Sequence, residues 1–185
     1  MAFILSGSTV VSYAEAADVK DLDQRVFEAN EIAFADAPDT PPTLDDYIED
    51  LATKTTDRIN RKIEASTQWR SYLGFAGQGY DSNNIPSFVP EKILARKSDF
   101  TTLCAYGTLY QWILPKIADF GNPESAEVQK IQYYEKRYND LFEELVNQWT
   151  WYDEDDDGTI EDGEKKVTFA LTRRSRGKKR IVSVR

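Results

Sequence analysis

Two apolar stripes on either side of a Gly-Asn-Pro break constrain this chain more than any other feature. From residue 98 onward, Phe100, Leu103, Tyr106, Leu109, Tyr110, Ile113 and Ile117 mostly recur at spacings of three and four. That is the period of one buried helix face. Ser98 reads as the N-cap, with Asp99 just inside to meet the helix dipole. Pro115 should kink the last turn. Gly121 and Asn122 then make a tight link, and Pro123 falls at the first helical position, which proline favours. Val128, Ile131, Tyr134, Tyr138, Leu141, Phe142, Leu145 and Trp149 carry the second stripe. So short a link between two long helices predicts an antiparallel pair. The aromatic residues read as ordinary core rather than a cofactor box. Cys104 reads as packed in or near its stripe rather than reactive, since nothing nearby would lower its pKa.

The rest of the body has the same texture. Residues 2–11 open with a short apolar run that suits a strand or an ordered arm. From Tyr13 to Phe34 a helix is expected, with Val19, Leu22, Val26 and Ala29 at helical spacing. Residues 36–42, DAPDTPP, break it. Thr43 is a good N-cap, followed by Asp45 and Asp46. Tyr47, Leu51, Thr55, Ile59 and Ile63 then step by four, with Ile48 widening the face, to predict a long helix ending near Ala65. A short helix should hold Trp69, Tyr72 and Leu73. Residues 74–90 carry three glycines and two prolines; they read as a plain connector or an interface loop. A phosphate cradle would need a Lys or a suitable following helix, and neither is present.

The sharpest chemical signal is residues 153–164, DEDDDGTIEDGE. Counted from Asp153, it matches the D-x-D-x-D-G-x5-E spacing of an EF-hand loop, an oxygen cage for a hard cation. Asp153, Asp155 and Asp157 would each present a carboxylate. Gly158 would take the sharp turn that a Cβ hinders. Thr159 would offer its backbone carbonyl, Glu161 would act through a water, and Glu164 would close the site with two oxygens. Ile160 sits where an apolar residue points inward. The many flexible oxygens favour calcium over magnesium. Trp149 and Tyr152 fit the incoming helix of such a hand. KKVTFAL, residues 165–171, does not fit an exiting helix, and no partner hand is found. The plainer alternative is a hydrated acidic turn.

Charge divides the chain at this loop. Of 23 lysines and arginines, 9 lie in residues 165–185, which hold none of the 32 acidic residues. Residues 1–164 are therefore left with 14 basic against 32 acidic side chains. Such a body does not bind nucleic acid through its general surface. In the tail, Val167, Phe169 and Leu171 alternate as a strand would. Arg173, Arg174, Arg176, Lys178, Lys179 and Arg180 surround Gly177 in a basic turn, and a second strand pattern follows. This basic run is a candidate for docking on a partner protein, with a solvated arm or a DNA contact as alternatives. Two strands alone are marginal in water, so the tail needs a partner edge, from the N-terminal segment or from another subunit. The expected fold is mainly α: a small antiparallel helical bundle with an extended or β-hairpin C-terminal arm. Its parts are a bundle domain with an N-terminal arm (residues 1–152), an EF-hand-like acidic loop (153–164) and a basic arm (165–185).

Composition narrows the chemistry. The chain has 185 residues and no histidine, which removes the commonest general base, the Ser-His-Asp triad and histidine metal sites. An enzyme would have to work with carboxylates alone, and no spacing singles out a pair; none is expected. One cysteine forbids an internal disulfide and fits a reducing compartment. No run of 18 apolar residues suggests a membrane span. The opening MAFILSGSTVVSYA lacks a basic start and is too short and mixed for a signal peptide.

Residues 98–152 resemble the paired helices of the head-tail connector proteins of tailed bacteriophages, also called adaptors or head-completion proteins. DLDQRVFEANE (Asp21 to Glu31) and INRKIEASTQWRSYL (Ile59 to Leu73) are similar to the earlier helices of that family. The resemblance is one of layout over about three quarters of the chain, without a diagnostic motif. It implies a virion structural protein of the neck, assembled in the host cytoplasm. It implies a homo-oligomeric, twelve-fold ring between the portal protein and the tail or neck proteins, with arms reaching neighbours. Viral DNA would pass through the bore without specific binding. The acidic loop departs from the family pattern. The other reading is a calcium-binding regulatory or interaction module.

Overall fold

The computed structural model describes residues 3–29, 43–69, 87–122, 124–153 and 157–160. Among them the chain is mainly helical, with one small antiparallel sheet. The sheet is an N-terminal hairpin of β1 (Ile4–Ser6) and β2 (Thr9–Ser12), with Leu5 opposite Val10. Its turn uses Gly7 at φ 66°, a left-handed conformation that glycine adopts without strain. Two short helices follow, α1 (Ala16–Leu22) and α2 (Gln24–Ala29). The helix expected from Tyr13 to Phe34 therefore starts later, and it breaks at Asp23, whose φ of −151° is not helical. Glu15 and Asp18 close a capping box at the start of α1.

The expected long helix is α3 (Leu44–Ala65). Thr43 caps it, accepting from the Asp46 N–H at 3.2 Å while Asp46 Oδ2 accepts from the Thr43 N–H at 2.8 Å. Its buried face is Ile48, Leu51, Ala52, Thr55, Thr56, Ile59 and Ile63, the predicted stripe plus its small neighbours. Residues 67–69 form the start of another helical turn, which buries Trp69. Tyr72 and Leu73 lie outside the described residues.

A 3-10 turn (Pro90–Lys92) leads into α4 (Lys97–Thr108), which continues through a π-helical turn (Leu109–Ile113) and a last α-helical turn (Leu114–Ile117). Two expectations need correction here. The N-cap is Arg96, not Ser98, and it sits in the left-handed region at φ 55°. Its guanidinium bonds Asp99 Oδ2 and Glu144 Oε1, each at 2.6 Å, so long-range partners hold a cap that sequence propensity would not choose. At the other end, the kink predicted for Pro115 takes the form of a π-helical turn just before it. The Leu114 N–H reaches back five residues to the Leu109 carbonyl. Widening the helix accommodates a proline ring and its missing N–H.

The last helix, α5 (Ala126–Gln148), is capped by Ser125, whose side chain accepts from the Val128 N–H at 3.3 Å. It begins three residues after Pro123, where the sequence suggested its start, because Ser125 supplies a capping hydroxyl. Tyr134, Tyr138, Phe142, Leu145 and Val146 are buried on it. As expected, α4 and α5 are antiparallel: Arg96, before α4, pairs with Glu144 near the end of α5. The pair α3 and α4 is antiparallel too. Lys116, at the end of α4, meets Tyr47 at the start of α3, and Thr108 Oγ1 donates to Thr55 Oγ1 at 3.1 Å midway. The result is an up-down-up bundle, with α1 packed against α3 and α4.

Candidate functional site

The functional reading turns on how the chain leaves this bundle after α5. Trp149 ends the helix in the left-handed region, at φ 35°. A bulky residue rarely sits there unless its surroundings hold it. They do: the Trp149 ring is buried 5.6 Å from Trp69 and 4.7 Å from Trp151. Phe88 stacks on Tyr152 at 5.3 Å, and Trp151 meets Phe100 edge-on at 4.8 Å. The Trp151 indole N–H donates at 2.8 Å to the Leu145 carbonyl, which also accepts from the Trp149 N–H at 3.3 Å, so both tryptophans are tied to the helix end.

This reversal lays residues 151–153 against residues 92–94. Ile93 and Tyr152 form an antiparallel bridge. The Leu94 N–H donates to the Trp151 carbonyl at 3.0 Å, and the Asp153 N–H donates to the Lys92 carbonyl at 2.9 Å. Asp153, the first position of the acidic loop, is thus held by backbone bonds and only 1% exposed. Sequence reasoning missed this pairing. Its one trace is the density of aromatics in residues 149–152, which by sequence alone fits an incoming helix equally well.

Asp153 Oδ2 accepts from the Gly158 N–H at 3.0 Å, so positions 1 and 6 of the loop close on each other. Gly158 adopts φ 85°, the left-handed turn that its place in the motif predicts. Asp157 Oδ1 accepts from both the N–H and the hydroxyl of Thr159 at 2.8 Å. Asp157, Gly158 and Thr159 are exposed, and Ile160 is half-buried. The structure therefore brings Asp153, Asp157 and Thr159 into one turn. Asp155, Glu161 and Glu164 lie outside the described residues. Among the described residues, no three carboxylate, thiol or imidazole groups gather to hold a metal. The docking candidates Arg173, Arg174, Arg176, Lys178, Lys179 and Arg180, the two tail strands, and most of the 74–90 loop also lie outside the described residues.

Elsewhere among the described residues, burial shifts several titratable groups. Burial pushes the Cys104 thiol up to about 11, against weaker opposition from the Thr56 and Thr108 hydroxyls and other bonds. A thiol so held is neutral and inert at physiological pH. Burial also lowers the Lys62 pKa, and its ammonium lies 4.2 Å from the Phe142 ring centroid and 4.7 Å from that of Tyr138. No helix among the described residues is long and apolar enough to cross a membrane. No protein-family model, curated protein or solved structure matches this chain.

Proposed function

We propose that this chain is a head-tail connector of a tailed bacteriophage, a structural protein of the virion neck rather than an enzyme. In this reading, copies of the bundle pack side to side into a ring, twelve-fold as the resemblance implies, between the portal protein and the tail. The acidic body lines a bore through which DNA slides, because retention would need lysines and arginines neutralising phosphates. The basic run Arg173 to Arg180 docks on the portal or an adjacent subunit.

The observation that carries this reading is the pinned exit. Asp153 is held against Lys92 at one end of the bundle, at the head of the acidic loop that leads, twelve residues on, into a segment whose charge is opposite to that of the body. A chain that fixes the root of a cationic extension so firmly is suited to presenting it to something else. Calcium at Asp153, Asp155, Asp157, Thr159 and Glu164 would neutralise the acidic joint and set the direction of departure. The test is reconstitution. The full chain should join portal rings and add a ring visible by electron microscopy, and deletion of residues 165–185 should abolish joining. Joining at undiminished affinity by the truncated chain would sink the docking claim.

A second reading, a calcium-binding regulatory module, is favoured by the closure of Gly158 onto Asp153. Calorimetric titration separates the two. Calcium binding that Asp157→Ala abolishes, without any change in shape or partner affinity, marks a structural ion. A large calcium-dependent change in either marks a switch.

A further inference from the structure

One edge of the N-terminal hairpin lies open. Its sheet has two strands, and among the described residues no third strand pairs with β1. The hairpin's own geometry says what that edge offers. Ser6 and Thr9 close the two-residue turn, so the next pair, Leu5 opposite Val10, is one whose N–H and C=O groups point away from each other. On the β2 side this is observed: the Val10 N–H donates outward to Glu91 Oε1 at 2.7 Å. On the β1 side the Leu5 N–H and C=O therefore face the open edge, a template for another strand.

Nothing on β1 blunts that template. Ile4, Leu5 and Ser6 include no charge and no proline, and the extra residue of the bulge, Val11, sits on β2. Leu5 is 57% exposed. It shares a sheet face with Phe3 and Val10, beside a groove of about 330 Å³ whose apolar lining also includes Ile93. The groove's charged residues, Glu91 and Lys97, are of opposite sign. Phe3 to Ala14 carries no charged side chain. Residues 1–164 hold 32 acidic against 14 basic side chains, so most of this surface repels its own copies. The hairpin is a place where two copies meet without that repulsion.

We infer that β1 is a pairing edge for a second copy of this chain. The two β1 strands run antiparallel about a two-fold axis at Leu5, which exchanges both backbone bonds with its own counterpart. The two hairpins join into one sheet and reach the size at which a sheet with an apolar face is stable. The axis keeps the groove faces of both hairpins on one side, where the two Leu5 side chains cover each other. The contact is isologous, the same patch on both copies, so it closes at two and does not extend into a ring. It is separate from the side-to-side packing proposed above, and stands or falls without any portal or tail.

The test is association of the full-length chain, read by sedimentation from about 1 µM to about 1 mM. The expected result is a monomer–dimer equilibrium that Leu5→Lys weakens at least about tenfold, by placing like charges opposite each other. Leu5→Pro should weaken it as much while sparing the hairpin, because the backbone N–H it removes is the outward one. A chain that stays monomeric, or association indifferent to both variants, overturns the assignment. Position is read separately from Leu5→Cys, oxidised at a concentration where the dimer forms. Two-fold pairing sets the two Cα atoms about 5.5 Å apart, within disulfide reach. The native Cys104 is buried and stays silent. The new cysteine should crosslink two copies at least about tenfold faster than Phe120→Cys, which is 66% exposed at the far end of the bundle. Equal rates overturn the assignment. So does slow hydrogen exchange of the Leu5 amide in the dilute monomer, which would mean that the edge is already covered within one chain.

Discussion

The exit end of the α4–α5 pair is built differently from its middle. At the exit end, Trp69, Phe88, Phe100, Trp149, Trp151 and Tyr152 fill space with rings in edge-on and stacked contact. In the middle, α4 meets α3 through small and polar residues, Gly107 and Thr108 against Thr55. Gly107 lies so close to α3 and α5 that an added Cβ would sit 2.6 Å from Thr55 Cγ2 and 3.2 Å from the Tyr138 ring. Thr55 cannot easily yield. Its hydroxyl donates to the Leu51 carbonyl at 2.9 Å and accepts from Thr108 Oγ1 and the Trp112 indole N–H, both at 3.1 Å. Large rings tolerate irregular backbone, which is why the chain can reverse at Trp149. Small, hydrogen-bonded residues demand close and regular approach. The bundle's middle therefore fixes helix spacing, and its aromatic end fixes where the tail begins.

The largest effect should come from Trp151→Ala. Losing a fully buried indole and its bond to Leu145 should destabilise the chain by about 3–5 kcal/mol in denaturant titration. It should also release Asp153, read as faster exchange of its amide. A loss smaller than that of Gly107→Ala would reverse the ranking of the two regions.

Next comes alkaline pH, which probes the polar middle. Cys104 has its pKa raised in the folded state to about 11, above an ordinary value near 9, because it is buried. The folded chain then holds a proton that the unfolded chain releases. This contribution is fully present below pH 9 and is lost as pH rises through 11, about 3 kcal/mol in all. Cys104→Ala should flatten the stability curve between pH 9 and 11 relative to the parent chain. Tyr110, also raised by burial, contributes to both curves alike, while Tyr13 and Tyr138, raised chiefly by burial and in part by the nearby Cys104, lose that part with it and flatten the curve further. Identical slopes would mean that the thiol does not sense the core.

Gly107→Ala should destabilise by about 1–3 kcal/mol through overpacking, although alanine is the better helix former. A stabilised variant would show that the helices can move apart at no loss, contrary to the locked Thr55. The smallest effect should be that of Phe120→Ser. Phe120 is 66% exposed at the end opposite the tryptophans, and its loss should shift stability by less than about 0.5 kcal/mol. A larger shift would mean that the two ends are more alike than their packing indicates.

Much of the bundle could be read in advance, for a physical reason. Helical periodicity is a local property, so the stripes of α3, α4 and α5, the Thr43 cap and the antiparallel turn are written in neighbouring residues. The left-handed turn at Gly158 was legible in the same way, since only its own backbone is involved. The Ser98 and Pro123 starts failed because a cap is a competition. Arg96 won through Glu144, 48 residues away, and Ser125 through its own hydroxyl. Of the acidic loop, spacing indicated that Asp153 and Gly158 share a turn. That Asp153 is buried and bonded to Lys92 was not legible there, since no local pattern announces a strand partner 61 positions distant.

The sequence alone determined the helical class, the order of the long helices and the charge boundary at residue 165, because each depends on residues close in the chain or on simple counting. Only the tertiary structure decided the π-helical turn before Pro115, the hairpin beside its open groove and the pinned exit at Asp153. Those depend on which distant surfaces meet, and contacts between remote residues leave no periodic trace in a single sequence.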